Sequence, residues 1–231
     1  MPTPKARILY VEDDINLGFV TKDNLELAHF QVEHHINGVA AWEAFNRQPF
    51  DLCILDVMLP GSDGFELAQR IRQTDNHVPI LFLSALADKD NRLQGLRLGG
   101  DDYLTKPFSI EELLLKIGVF LRRCQQRPEA SPSGSIVQIG HYLFDRQNLK
   151  IQSHNHVETL THREAEVLSY LLERRNTLVR RDEILKAIWG DNDYFMGRSL
   201  DVFISRLRKR LRHDPSIRIE NMHGIGFRFS F

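Results

Sequence analysis

Apolar residues fall along the first half of the chain in short blocks whose spacing switches between two periods. Arg7 to Val11, Gln31 to His35, Leu52 to Asp56, Pro79 to Leu83 and Asp102 to Thr105 read as strands. Leu52 to Leu55 are apolar at consecutive positions, as a strand buried on both faces requires. Helical spacing occupies the intervals. Residues 15–28 place Leu17, Val20, Leu25 and Ala28 on one stripe, and a helix opening at Asn37-Gly38 turns Val39, Trp42 and Phe45 inward. Phe65 to Gln73 and Lys89 to Leu98 follow, and Ser109 with Glu112 three residues on forms a capping box for a last helix. Five strands alternating with five helices predict an α/β unit built on a parallel sheet.

The second half has a different rhythm. Residues 124–135 are polar, carry Pro and Gly and show no apolar period, so they read as a flexible linker. Short β-like pieces follow at 136–139, 142–144, 149–152 and 157–160, separated by turn residues such as Gly140 and Asn148. Thr161-His162-Arg163-Glu164 is a capping box opening a helix to about Arg174. A second helix runs from about Asp182 to Trp189 with a poor cap, since Arg180 stands where Ser or Thr is expected. A third spans Arg198 to Arg212, with Leu200, Ile204, Leu207 and Leu211 as its inner seam. Ile217 to Phe229 reads as a hairpin around His223-Gly224-Ile225-Gly226.

Length and charge sharpen this division. A chain of 231 residues accommodates two domains of ordinary size. Its net charge of -1 conceals an asymmetry: residues 1–123 carry 13 Lys and Arg against 18 Asp and Glu, and residues 124–231 carry 17 against 13. The basic half is the candidate for nucleic acid. Cys53 and Cys124 form no metal or redox spacing and point to a reducing compartment. No apolar run has membrane-spanning length, and no signal peptide is visible, so a cytoplasmic protein without a membrane partner is expected. His154 and His156 share a turn without a third ligand, a pattern that carries no metal reading.

The chemistry sits at the strand ends. Glu12, Asp13 and Asp14 follow the first strand, Asp56 ends the third, Ser84 follows the fourth and Lys106 the fifth. In a right-handed doubly wound sheet these ends converge on one edge. Several carboxylates in one pocket repel unless a hard cation such as Mg2+ binds with oxygen ligands. Lys106 and the Ser84 hydroxyl then offer a charge and a hydrogen bond to phosphoryl oxygens, and Asp56 becomes a nucleophile for phosphoryl transfer.

Through Glu12-Asp13, Asp56, Ser84, Tyr103 and Lys106-Pro107, residues 1–123 resemble a response-regulator receiver domain. The resemblance implies a flavodoxin-like fold of strand order 2-1-3-4-5 and an aspartyl phosphate on Asp56 taken from a sensor histidine kinase. It further implies Mg2+ held by Asp13, Asp56 and the Met58 carbonyl with Glu12 acting through water, a cis Lys106-Pro107 bond, and Tyr103 as an aromatic that follows Ser84 inward. Gly100 stands where the family usually carries Ala, and Gly99-Gly100 is expected to loosen the turn into strand five. Homodimers would form through residues 89–98, 102–105 and 109–123, with Arg92 paired to Glu112 and Asp102 to Lys116.

Residues 136–231 resemble the α+β winged helix-turn-helix effector domain of the OmpR/PhoB family, through Arg198 to Lys209 and Gly224-Ile225-Gly226-Phe227-Arg228. The resemblance implies that the 198–212 helix enters the major groove of double-stranded DNA and that the hairpin lies over the minor groove. Trp189, Arg198, Ser199, Val202, Ser205, Arg206, Lys209 and His223 are the expected contacts, and RNA polymerase is a further expected partner. Phe203 replaces a common His, and His223 replaces a wing-tip Arg. A haloacid-dehalogenase-like phosphohydrolase would use a similar set of groups, but it carries its nucleophile after the first strand and a second acid two residues later, where this chain has Met58. The chain is therefore expected to be a phosphorylation-switched transcription factor that binds tandem sites, catalysing only its own phosphotransfer and dephosphorylation.

Overall fold

The computed structural model describes residues 5–59, 62–85, 95–125, 136–153, 156–190 and 194–231. The chain divides into two compact units, residues 1–126 and 127–231. No helix among the described residues is long and apolar enough to cross a membrane.

In the first unit, β1 (Arg7–Val11), β2 (Gln31–His35), β3 (Leu52–Asp56), β4 (Ile80–Ala85) and β5 (Asp102–Lys106) form a five-stranded parallel sheet of order β2-β1-β3-β4-β5. Its central strands are buried on both faces because their apolar runs are continuous. Ile8, Tyr10, Leu52, Ile54, Leu81, Leu83 and Leu104 point to one face, under Leu25 of α1 (Ile15–Leu27) and Leu113, Ile117 and Phe120 of α4 (Ile110–Gln125). The other face, with Leu9, Leu55 and Phe82, lies on the side of α2 (Gly38–Arg47) and α3 (Gly64–Thr74).

The inward faces of the first two helices differ from the expected stripes. Gly18, Thr21 and Leu25 are the buried residues of α1, and Val20 is exposed. In α2 the buried positions are Gly38, Ala41 and Ala44, Val39 is exposed, and Trp42 and Phe45 are half-buried flanking rings 6.1 Å apart. Small residues let the helix backbones approach the sheet closely, so the larger side chains are pushed to the margin. Helix α3 starts against the third strand for the same reason: a Cβ on Gly64 would lie 2.0 Å from the Asp56 carbonyl oxygen. Residues 89–94 of the expected fourth helix lie outside the described residues, and 95–98 are helical.

The turn into β5 is packed rather than loose. Gly100 donates its N–H to Gly95 at 3.0 Å, Asp101 donates to Ile80 at 2.9 Å, and a Cβ on Gly100 would meet the Phe82 ring at 2.6 Å. Glycine stands at this position because the large Phe82 ring occupies the room of a methyl group. Beside it, buried Asp101 receives Arg72 at 2.7 Å and the Ile80 N–H at 2.9 Å.

The second unit opens with a four-stranded antiparallel meander of β6 (Ile136–Ile139), β7 (Tyr142–Asp145), β8 (Lys150–Ser153) and β9 (His156–Thr159). Three helices follow: α5 (His162–Glu173), α6 (Arg181–Trp189) and α7 (Tyr194–Arg210), the last starting four residues before its expected Arg198. The Thr161 cap is reciprocal, Glu164 donating its N–H to Thr161 Oγ1 and Thr161 its N–H to the Glu164 carboxylate. Arg180 caps nothing with its side chain, a pure donor, but its own N–H is taken by Glu183 at 3.3 Å. The terminal hairpin, β11 (Arg218–Met222) and β12 (Gly226–Ser230), gains a third strand, β10 (Leu178–Arg180), that local pattern did not indicate. Three residues are too few to show a period, and Val179 becomes a strand residue only by pairing with distant Phe227.

Candidate functional site

Two places carry the chemistry, one in each unit. At the carboxyl edge of the parallel sheet, one carboxylate oxygen from each of Glu12, Asp13 and Asp56 lies within 4.8 Å of the others. Glu12 and Asp56 are buried and Asp13 is exposed, so the cluster opens to solvent on one side. Asp14 does not join them; its Oδ1 caps α1 by accepting the N–H groups of Asn16 and Leu17. Lys106 reaches into the pocket, its Nζ 2.6 Å from Asp56 Oδ2 and 2.6 Å from Glu12 Oε2. The Lys106-Pro107 peptide is cis. Met58 donates its N–H to Asp56 Oδ1 at 3.0 Å, while its side chain is exposed.

These distances set the electrostatics. Burial, reinforced by the Asp56 charge, pushes the Glu12 carboxyl up to about 7 against the pull of the Lys106 hydrogen bond. Burial works against the Lys106 ammonium, but its hydrogen bonds to Asp56 and Glu12 outweigh that and hold it above its ordinary range. An all-oxygen donor set with one open side fits a small hard cation. Ser84 is buried at the end of β4, in register with Thr105, and Tyr103 is buried on β5 with its ring 5.1 Å from Phe82. The pocket thus brings together Glu12, Asp13, Asp56 and Lys106, with Ser84 on the neighbouring strand.

Of the residues expected at a dimer face, Arg92 lies outside the described residues. Glu112 is exposed. Asp102 and Lys116 meet each other within the chain at 3.0 Å.

In the second unit, α7 buries Leu200, Phe203, Ile204 and Leu207 against its neighbours. Ser199 and Val202 are buried as well, so among the described expected contacts on this helix only Ser205 and Lys209 are exposed. The Arg198 side chain lies outside the described set. Arg206 is half-buried, 3.6 Å from Glu164, and Arg210 bridges Glu158 at 2.8 Å and Glu164 at 3.0 Å. Glu164 therefore serves twice, capping α5 and anchoring α7. The capping spacing was legible, but nothing local announced the second role. Trp189 is buried with its ring 5.7 Å from Phe203, and Arg163, also buried, stands over it at 4.9 Å. His223 is exposed at the hairpin tip.

Comparison with known proteins places each unit in a family. Residues 8–118 match the family model of the response regulator receiver domain, and residues 155–229 match that of the transcriptional regulatory protein C terminal domain. The chain is 42% identical over 224 residues to the transcriptional regulatory protein RprY of Bacteroides fragilis, covering 97% of this chain and 94% of that protein. It is 34% identical over 223 residues to the response regulator ArlR of Staphylococcus epidermidis, covering 96% of this chain and 98% of that one. Among solved structures, the response regulator DrrB, a Thermotoga maritima OmpR/PhoB homolog, aligns at 28% identity with a TM-score of 0.50, covering 97% and 99% of the two chains. The fold alone is shared with a mutant form of RitR, at 21% identity and a TM-score of 0.75 over 96% and 98% of the chains. With an acidic pocket on a five-stranded parallel sheet in one unit, a winged helix in the other and relatives matched over nearly their whole length, the chain belongs to the OmpR/PhoB family of DNA-binding two-component response regulators.

Proposed function

We propose that this regulator is switched by phosphorylation of Asp56. The observation that carries the reading is the Lys106 ammonium held 2.6 Å from both Asp56 and Glu12, beside the solvent-open Asp13. An Asp56 carboxylate oxygen attacks the phosphorus of a sensor kinase phosphohistidine, the P–N bond breaks, and the imidazole leaves with the electron pair. Asp13, Asp56 and the Met58 carbonyl, with Glu12 through water, would hold Mg2+, which would supply the charge that screens nucleophile from phosphoryl oxygens. Lys106 then moves its hydrogen bond from the carboxylate to a phosphoryl oxygen, and the Ser84 hydroxyl donates to another. Tyr103 follows Ser84 as the switch aromatic. Aspartyl-phosphate hydrolysis in the same pocket returns the protein to its resting form.

Downstream, we infer a cytoplasmic homodimer that binds tandem half-sites and engages RNA polymerase. Arg92 with Glu112 and Asp102 with Lys116 form the dimer contacts, the latter exchanging an intrachain partner for the same residue of the second copy. Arg198, Ser205, Arg206, Lys209 and His223 form the DNA surface, with Trp189, Ser199 and Val202 supporting it from buried positions. Ser205, Lys209 and His223 meet it directly from exposed positions, and base reading by Arg206 includes exchanging Glu164 for a base edge. Intact-mass spectrometry after treatment with acetyl phosphate tests the switch. Uptake of one phosphoryl group that requires Mg2+ and is lost in Asp56→Ala is the expected result, and equal uptake by the variant overturns it.

A further inference from the structure

The acidic pair after β1 sits on a peptide that the strand ladder alone does not hold. Glu12 lies one residue beyond β1, and its N–H donates to the His35 carbonyl at 3.0 Å. Its carbonyl belongs to the peptide unit shared with Asp13, and the orientation of that plane sets where both carboxylates leave the backbone. The ring of His34 takes this carbonyl: Nε2 lies 2.9 Å from Glu12 O, and since a carbonyl only accepts, Nε2 carries the proton.

The surroundings fix that ring. His34 stacks on the fully buried Tyr10, with centroids 5.0 Å apart and planes 29° apart. On the side of α1 it lies over Gly18, where a Cβ would stand 2.4 Å from His34 Cε1 and 2.7 Å from Nε2. Glycine is a poor helix former, and at Gly18, in the first turn of α1, its bare backbone makes the space for the imidazole. Three elements thus converge on one ring whose single directed bond ends between Glu12 and Asp13.

We propose that His34 is a positioning residue for the acidic pocket, holding the Glu12-Asp13 peptide plane so that both carboxylates face the site that Mg2+ enters. It touches neither metal nor phosphoryl group and acts through the backbone. The proposal rests on the reading of Glu12, Asp13 and Asp56 as the Mg2+ pocket and adds to it the residue that orients two of the three.

The test is calorimetric titration of Mg2+ into the full chain, as wild type, His34→Phe and His34→Gln. Phe keeps an aromatic ring on Tyr10 and over Gly18 but has no donor; Gln offers an N–H at comparable reach. Partners that orient metal ligands change affinity by about 10–100-fold, and His34 acts one step further back, so the Phe variant should bind Mg2+ about 10-fold more weakly and Gln should recover most of the loss. Wild-type binding matched by the Phe variant, or a Gln variant as weak as Phe, overturns the positioning role while leaving the pocket intact. No Mg2+ binding by wild type overturns the pocket reading and the positioning with it. Should the Phe variant not fold, the imidazole 15N signals of the wild type decide: Nε2 protonated, slow to exchange and shifted on Mg2+ addition supports the role, and an unprotonated Nε2 overturns it.

Discussion

Replacing Gly100 by Ala asks whether the Phe82 ring dictates the residue in the turn before β5. The new Cβ would lie 2.6 and 2.7 Å from two ring carbons and 3.2 Å from the Gly95 carbonyl, against 3.4–4 Å for ordinary contact. The ring has little freedom to yield, since Phe65 packs edge-on at 5.2 Å and Tyr103 lies at 5.1 Å on the same core face. Overpacking of this kind costs about 1–3 kcal/mol. Backbone strain does not contribute, because Gly100, unlike Gly99, has no positive φ. In a Phe82→Leu background the obstruction is gone, and Ala should then be neutral or stabilise by about 0.4–1 kcal/mol through the reduced entropy of the unfolded chain. The double-mutant cycle therefore predicts a coupling of at least about 1 kcal/mol between positions 82 and 100. Urea denaturation of the full chain, read by hydrogen exchange on β4 and β5 peptides, isolates the receiver. Equal destabilisation by Ala in both backgrounds would refute the steric account.

Three further outcomes are expected. Arg72→Ala should destabilise the receiver by about 3–5 kcal/mol by leaving the buried Asp101 carboxylate without its cation, measured in the same way. Gly95→Ala should expel Tyr103, whose hydroxyl would stand 1.7 Å from the added Cβ; nitration of Tyr103, mapped by peptide mass, should rise, and an unchanged modification rate would count against it. In the effector unit, burial pushes the Asp214 carboxyl up, but hydrogen bonds from Ser216 and the His141 N–H prevail and hold it below its ordinary range. Its contribution to stability is present above the unfolded value of about 3.9 and is lost as pH falls through the depressed folded value. Asp214→Asn should flatten that part of the acid-unfolding curve followed by circular dichroism.

Where a signal was local, the sequence carried it. Consecutive apolar residues from Leu52 to Leu55 announced a strand buried on both sides, and acids, Ser84 and Lys106 at strand ends announced a pocket, because strand ends in this topology share an edge. Helix faces were harder to read. Gly18, Ala41 and Ala44 make the close contacts, while apolar Phe19, Val20 and Val39 point outward, so counting large apolar side chains placed Leu25 correctly but turned Val20 and Val39 to the wrong side. Long-range partnerships left no local trace: Val179 is a strand residue because of Phe227, Gly100 is glycine because of Phe82, and Glu164 binds Arg210 as well as capping its own helix.

The arginines on α7 also alter what a titration with salt would measure. Between residues 206 and 210 the helix has four cations, Arg206, Arg208, Lys209 and Arg210. Arg206 and Arg210 are drawn to Glu164 and Glu158, and Arg208 donates to the Ile219 carbonyl of the hairpin. Each phosphate neutralised by a protein cation releases condensed counterions and adds about 0.9 to the salt slope. A cation already neutralised by a carboxylate displaces none. The slope contributed by this stretch should thus follow Lys209 and Arg208, about half the value that its charge count suggests, and the helix gains in return a fixed orientation on its own domain before it meets a groove.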